Sequence, residues 1–145
     1  MNQADGAATT TPNQHFAFSL LHAAAAVEGK LETALGNVGL SMAKQSALTK
    51  LAEAGEPLTL SDLASRLACV RSNITQLVDR LEADGLVRRV DDPSDRRSVR
   101  AELTPLGREM QAAGEAELAR AQSELSSLMA SSDLAALESA LGALG

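Results

Sequence analysis

The chain has no tryptophan and no tyrosine, and Phe16 and Phe18 are its only aromatic side chains apart from histidine. Its core must therefore be aliphatic, with alanine letting elements approach closely. A single cysteine, Cys69, excludes an intrachain disulfide framework and suits a reducing cytosol. No apolar run reaches membrane-spanning length, and the first residues lack a basic segment followed by a hydrophobic one. A cytoplasmic location, with no membrane partner and no secretory signal, is expected. Catalytic signatures are missing too. No His, Cys and carboxylate cluster has metal-ligand spacing, and there is no phosphate loop, nucleophile elbow or acid pair in a catalytic setting. His15 and His22 stand seven apart, a poor metal pair without further ligands, and read as surface or interface residues. Neither a metal, a cofactor nor an enzyme is expected.

Basic residues are also in the minority. The formal net charge of −6 argues at first against a nucleic-acid binder. Its distribution softens that objection. Between residues 63 and 100, eight arginines (66, 71, 80, 88, 89, 96, 97 and 100) outnumber six acids (79, 82, 84, 91, 92 and 95). That stretch carries +2, leaving −8 for the remainder. Phosphate contact depends on a local basic surface rather than on the total. The acidic balance implies modest nonspecific DNA affinity that is lost as salt rises.

What is present is organised around residues 63–103. A helix and tight turn lead into NITQLVDRLEADG, where Ile74, Leu77 and Leu81 are spaced three and four apart and share one face. Ser72, Asn73, Thr75, Gln76 and Arg80 are left on other faces, and Gly85 permits a left-handed stop. LVRRV then switches to strand chemistry, and Val99, Ala101 and Leu103 alternate inward on a returning strand. Between the strands, Asp91-Asp92-Pro93-Ser94-Asp95-Arg96-Arg97 forms a turn ending in two guanidinium groups. A helix of groove-reading size beside a basic-tipped hairpin has the shape of a winged helix-turn-helix.

The run from Leu77-Val78-Asp79-Arg80-Leu81-Glu82 through Gly85-Leu86-Val87 to Asp92-Pro93-Ser94-Asp95-Arg96-Arg97 and Leu103-Thr104 resembles the multiple-antibiotic-resistance regulator (MarR) family of bacterial transcription factors. The resemblance covers about residues 40–107. It implies a mostly α fold with a small β-hairpin wing, flanked by N- and C-terminal dimerisation helices. One departure concerns the turn, where Ala68, Cys69 and Val70 replace the family's usual Gly, aliphatic residue and Ser or Thr cap. Valine cannot cap, which leaves Ser72 as the candidate to satisfy the helix start.

In chain order, residues 1–12 lack apolar periodicity and read as a disordered tail. Residues 13–39 hold an N-terminal dimerisation helix, with Phe16, Leu20, Ala24, Val27, Leu31 and Ala34 on a heptad-like stripe and glycines 36 and 39 at its end. Residues 40–103 form the DNA-binding lobe. Within it, Met42, Ala47, Leu48 and Leu51 are core candidates on a helix from about 41 to 54, and Thr59 caps a helix burying Leu63, Ala64 and Leu67. Residues 104–145 hold the C-terminal dimerisation helices. The first opens at Thr104-Pro105, runs to about Met129 and carries Leu106, Met110, Leu118, Ala121, Leu125 and Leu128. The last starts at Ser132 or Asp133, with Leu134, Leu137, Leu141 and Leu144 on one stripe. These stripes exceed what a winged helix can cover, so a second copy of the chain is expected to cover them.

Asn73 and Gln76 lie one turn apart, and an amide pairs bidentately with adenine in the major groove. The plainer alternative is a solvated helix face. Arg71, Ser72 and Thr75 are candidates for bases or phosphates, and Arg80 for a phosphate or a structural ion pair. By the family's Asp-x-Arg wing motif, Asp95 would orient Arg97 towards the minor groove, where a narrow groove concentrates negative potential. Arg96 is the second, phosphate-binding choice. Cys69 has two readings, a redox switch or a small buried hydrophobe. The second is preferred, because the family's oxidant sensors place their cysteine near the first helix.

The expected function is that of a homodimeric repressor of a pseudo-palindromic operator on double-stranded DNA, with half-sites about one helical turn apart. The family further implies a small-molecule effector bound between the dimer helices and the DNA-binding lobe. Without Tyr or Trp, such a pocket lacks stacking partners for flat aromatics. The alternatives are a winged-helix protein-interaction module, a redox regulator using Cys69, and a constitutive repressor without an effector.

Overall fold

A computed structural model describes residues 15–67 and 73–145. The predicted tail and the turn residues Ala68, Cys69, Val70, Arg71 and Ser72 lie outside the described residues. The described residues form α1 (Phe16–Gly36), α2 (Met42–Ala54), β1 (Leu58–Thr59), α3 (Leu60–Leu67), α4 (Ile74–Ala83), β2 (Val87–Asp92), β3 (Asp95–Leu103), α5 (Pro105–Ser126) and α6 (Ser131–Gly142).

Local chemistry sets most of the boundaries. The Ser41 hydroxyl accepts from the Lys44 N–H at 3.2 Å and starts α2. Gly55 stops it in the left-handed conformation (φ 66°), which costs glycine nothing. Thr59 Oγ1 accepts from the Asp62 N–H at 3.1 Å at the start of α3. Thr104 has two tasks: its hydroxyl accepts from the Gly107 N–H at 2.9 Å and donates to the Gly85 carbonyl at 2.6 Å. The end of the α4 segment is thereby tied to the start of α5.

The core lies where α2, α3, α4 and the sheet meet. Leu35, Leu48, Leu63, Leu81, Val78 and Val87 are its largest fully buried side chains. On α4, Ile74 and Leu77 are half-buried, and Val78 takes the innermost place beside Leu81. Val78 is four residues after Ile74 and three before Leu81, so it sits at the middle of the face they define.

The hairpin belongs to a three-stranded antiparallel sheet of order β1-β3-β2. β1 was not expected. Its two residues follow Pro57 and pair Leu58 with Ala101 and Thr59 with Arg100, a segment too short to show alternation. Val99 is a correction: Ala101 is fully buried, but Val99 is 39% exposed. It shares the inward face, yet lies further out along the wing, beside the Asp91/Asp92 irregularity and beyond the underlying core. Leu106 is likewise 46% exposed, because Gly107 takes the inward position on α5. α5 ends at Ser126 and α6 begins at Ser131, each slightly earlier than expected.

The outer helices leave much apolar surface uncovered. α1 buries only Ala34 and Leu35, and α6 buries nothing. Phe16, Phe18, Leu21, Leu128 and Leu144 are each more than half exposed. Among the described residues, no helix is long and apolar enough to cross a membrane.

Candidate nucleic-acid interface

α4 presents two polar rows, each following the three-and-four spacing of a helix face. Asn73, Gln76 and Arg80 form the first, and Thr75, Asp79 and Glu82 the second; all six are exposed. Asn73 occupies the position before the first helical residue, but its side chain makes no capping hydrogen bond. Its amide is therefore not spent on the helix. Arg80 has no ion pair among the described residues.

Two members of the second row, Asp79 and Glu82, are bound to β2. Arg89 Nη2 donates to Asp79 Oδ1 at 2.5 Å, and Nη1 donates to Glu82 Oε1 at 3.0 Å. The Arg89 main-chain N–H also donates to Glu82 Oε2 at 3.0 Å. The Asp79 bond, followed by the charges of Asp79 and Glu82, raises the Arg89 pKa and outweighs its partial desolvation.

The wing has its own internal latch. Asp92 Oδ1 accepts from the Ser94 N–H at 3.0 Å and from its hydroxyl at 2.7 Å. Arg100 Nε lies 3.3 Å from the same oxygen, an ion-pair contact without hydrogen-bond alignment. The Ser94 N–H, then its hydroxyl, and then Arg100 hold the Asp92 carboxyl below its ordinary pKa. At the tip, Asp95 Oδ1 accepts from the Arg97 main-chain N–H at 2.9 Å. Asp95 thus shapes the backbone that carries Arg97. Arg96 and Arg97 are exposed and have no ion pair among the described residues.

The arginine-rich stretch is therefore less available than its composition implies. Arg88 pairs with Glu102, Arg89 with Asp79 and Glu82, and Arg100 with Asp92. Among the described residues, Arg66, Arg80, Arg96 and Arg97 are the arginines of that stretch left without an ion pair. Sequence reasoning counted all of these as one basic surface and missed the internal roles of Arg89 and Asp92. A signal existed for Asp92, since Asp-Pro-Ser is a side-chain-to-backbone turn pattern. None existed for Arg89, whose partners lie seven and ten residues away across a turn.

A cleft of about 470 Å³ separates α1 from the lobe. Glu28, Glu32, Met42, Leu67 and Leu77 line it together with Asn73, Gln76 and Arg80. The first polar row of α4 thus borders both open solvent and this cleft. Among the described residues, no His, Cys, Asp and Glu group could hold a metal.

Comparison with known proteins agrees with this geometry. A family model described as the MarR family matches residues 40–99. The HTH-type transcriptional regulator YsmB of Bacillus subtilis (strain 168) is 35% identical over 102 residues, which span 68% of this chain and 69% of that protein. The chain belongs to the MarR family. It is a helix-turn-helix transcriptional regulator with the family's winged-helix fold, and not an enzyme. Two solved relatives extend the likeness across the flanking helices of this MarR-family chain. The transcriptional repressor CouR bound to a 23-mer DNA duplex is 30% identical, with a TM-score of 0.77, over 89% of this chain and 91% of that one. CouR from Rhodococcus jostii RHA1 bound to p-coumaroyl-CoA is 27% identical, with a TM-score of 0.72, over 90% of this chain and 92% of that one.

Proposed function

We propose that this MarR-family regulator is a cytoplasmic homodimeric repressor that binds a pseudo-palindromic operator. α4 lies in the major groove and reads bases through Asn73 and Gln76, with Thr75 and Arg80 on the flanking bases or phosphates. The wing tip enters the neighbouring minor groove, where Arg97 is held by the Asp95 turn and Arg96 reaches a phosphate. Arg71 and Ser72 complete the contact at the start of the recognition segment. The observation that carries this reading is the set of groups left uncommitted. Asn73, Gln76, Arg80, Arg96 and Arg97 are exposed and unpaired, although arginines nearby are locked in internal ion pairs.

Residues 13–39 and 104–145 form the dimerisation arms. Their support is the apolar surface of α1 and α6 that no other part of the described residues covers. CouR, caught with a DNA duplex and with p-coumaroyl-CoA, supports effector-relieved repression in this chain as well. The cleft beside α4 is the proposed effector site. A molecule seated there would meet Asn73, Gln76 and Arg80 and draw them away from the groove. The described lining contains no aromatic ring, which favours an aliphatic over a stacked ligand.

Selection from random duplexes, followed by footprinting, tests the reading. The expected site has two symmetric half-sites about one helical turn apart and binds two chains. Absence of any enriched site would defeat it and leave the protein-interaction alternative in front.

A further inference from the structure

We propose that Arg89 is a positioning residue that fixes the wing relative to the recognition helix, and that it makes no contact with DNA. The inference rests on the DNA-binding reading and refines it. Its basis is the fork of Arg89. One terminal nitrogen holds Asp79 and the other holds Glu82, one turn further along α4. The Arg89 main-chain N–H binds the second oxygen of Glu82. Two adjacent carboxylates on one helix are thus bridged to a single strand residue. The Arg89 side chain is about one quarter exposed, whereas those of Asp79 and Glu82 are each about half exposed.

Two consequences follow for binding. An operator is gripped by α4 and by the wing together, so the second contact forms at an effective concentration set by how well the first orients it. A wing free to pivot lowers that concentration. The fork also neutralises two acids that stand one residue before and two after Arg80 in the sequence. Lysine carries the same charge but presents a single point rather than a planar fork. It can neutralise without bridging both carboxylates, so Arg89→Lys separates the two effects.

The test compares wild type, Arg89→Lys and Arg89→Gln, with binding to a selected operator and to a random duplex measured across a salt series. Spin labels at Ala83→Cys and Arg96→Cys, in a Cys69→Ser background diluted with unlabelled protein, report the helix-to-wing distance without DNA. For Arg89→Lys we expect about tenfold weaker operator binding, random-duplex affinity within about twofold of wild type, an unchanged salt slope, an unchanged Tm and a broadened distance distribution. Operator affinity restored by lysine would overturn the proposal, because charge alone would then suffice. A salt slope flattened in Arg89→Gln by about 0.9 per lost contact, hence about 1.8 per dimer, would make Arg89 a phosphate ligand and overturn it too. Parallel loss of operator binding, random binding and Tm would reduce the residue to a structural role. If wild type selects no operator, the DNA-binding reading falls by itself. The distance widths still decide the tie: unchanged widths overturn it, and broadened widths support it.

Discussion

Gly107 stands where α5 meets the hairpin, and replacing it with alanine is the sharpest test of how the two halves join. A Cβ at that position would lie 1.9 Å from the Leu86 carbonyl oxygen and 3.2 Å from Leu103 Cδ2. Carbon and carbonyl oxygen approach no closer than roughly 3.3 Å in ordinary contacts, so helix and strand must part by more than about 1 Å. The obstacle is main chain and cannot rotate away. Overpacking of this kind costs about 1–3 kcal/mol. The same oxygen accepts the Thr104 N–H at 3.1 Å, a bond whose loss adds about 1 kcal/mol. Gly29 provides the control, because nothing lies within 4 Å of its Cβ position inside α1. Gly29→Ala should therefore gain about 1 kcal/mol of helix propensity. At about 2–4 °C per kcal/mol for a chain of this size, Gly107→Ala should melt about 4–16 °C below wild type and Gly29→Ala a few degrees above it. Both are read by thermal and urea denaturation at matched protein concentration, since dimerisation shifts Tm with concentration. A Gly107→Ala protein as stable as wild type would refute the packing of α5 on the hairpin.

Three further expectations follow. Asp92 titrates below its ordinary value of 3.8, so its stabilisation of the wing tip is fully present from neutral pH down to about that ordinary value. It declines below that and is gone once the pH has fallen through the depressed value; the Ser94 amide shift in an NMR titration reads the folded-state titration, and a transition above pH 4 would contradict it. Gly114→Ala would place a Cβ 2.0 Å from the buried Gln45 Oε1 and 2.9 Å from Leu40 Cδ1. We expect a loss of about 1–3 kcal/mol, partly recovered in the Gln45→Ala double variant; additive losses would argue against direct contact. Leu141→Glu, placed on the uncovered face of α6, should shift the protein to a monomer by light scattering and abolish tight operator binding, and a dimer that survives it would move the interface elsewhere.

Periodicity and turn chemistry made much of this fold legible in the sequence. Thr104-Pro105 opened α5 and Gly85 closed the α4 segment because both act on their own backbone, within a turn of themselves. Alternation marked Ala101 and Leu103 as buried but misplaced Val99, since it reports which face a residue shares and not where the core beneath that face ends. β1 escaped because two residues are too few for a pattern. At the candidate site, composition located the basic stretch, but pairing is a property of three dimensions. Arg88, Arg89 and Arg100 look like Arg96 and Arg97 in the sequence, and only the fold separates anchored cations from free ones.

That separation leads to the most direct test of the central claim, which is that α4 reads bases and the wing tip supplies free cations. Equilibrium binding of wild type, Arg97→Ala and Gln76→Ala to the selected operator should be measured between about 50 and 200 mM salt, the range over which phosphate contacts govern affinity. With Arg71, Arg80, Arg96 and Arg97 each contributing one contact in both subunits, the wild-type slope of log K against log salt should be about −7. Arg97→Ala should flatten it by about 1.8, and Gln76→Ala should weaken binding to the operator alone while leaving the slope unchanged. If both variants bind operator and random duplex as wild type does, neither α4 nor the wing tip is the DNA-reading surface.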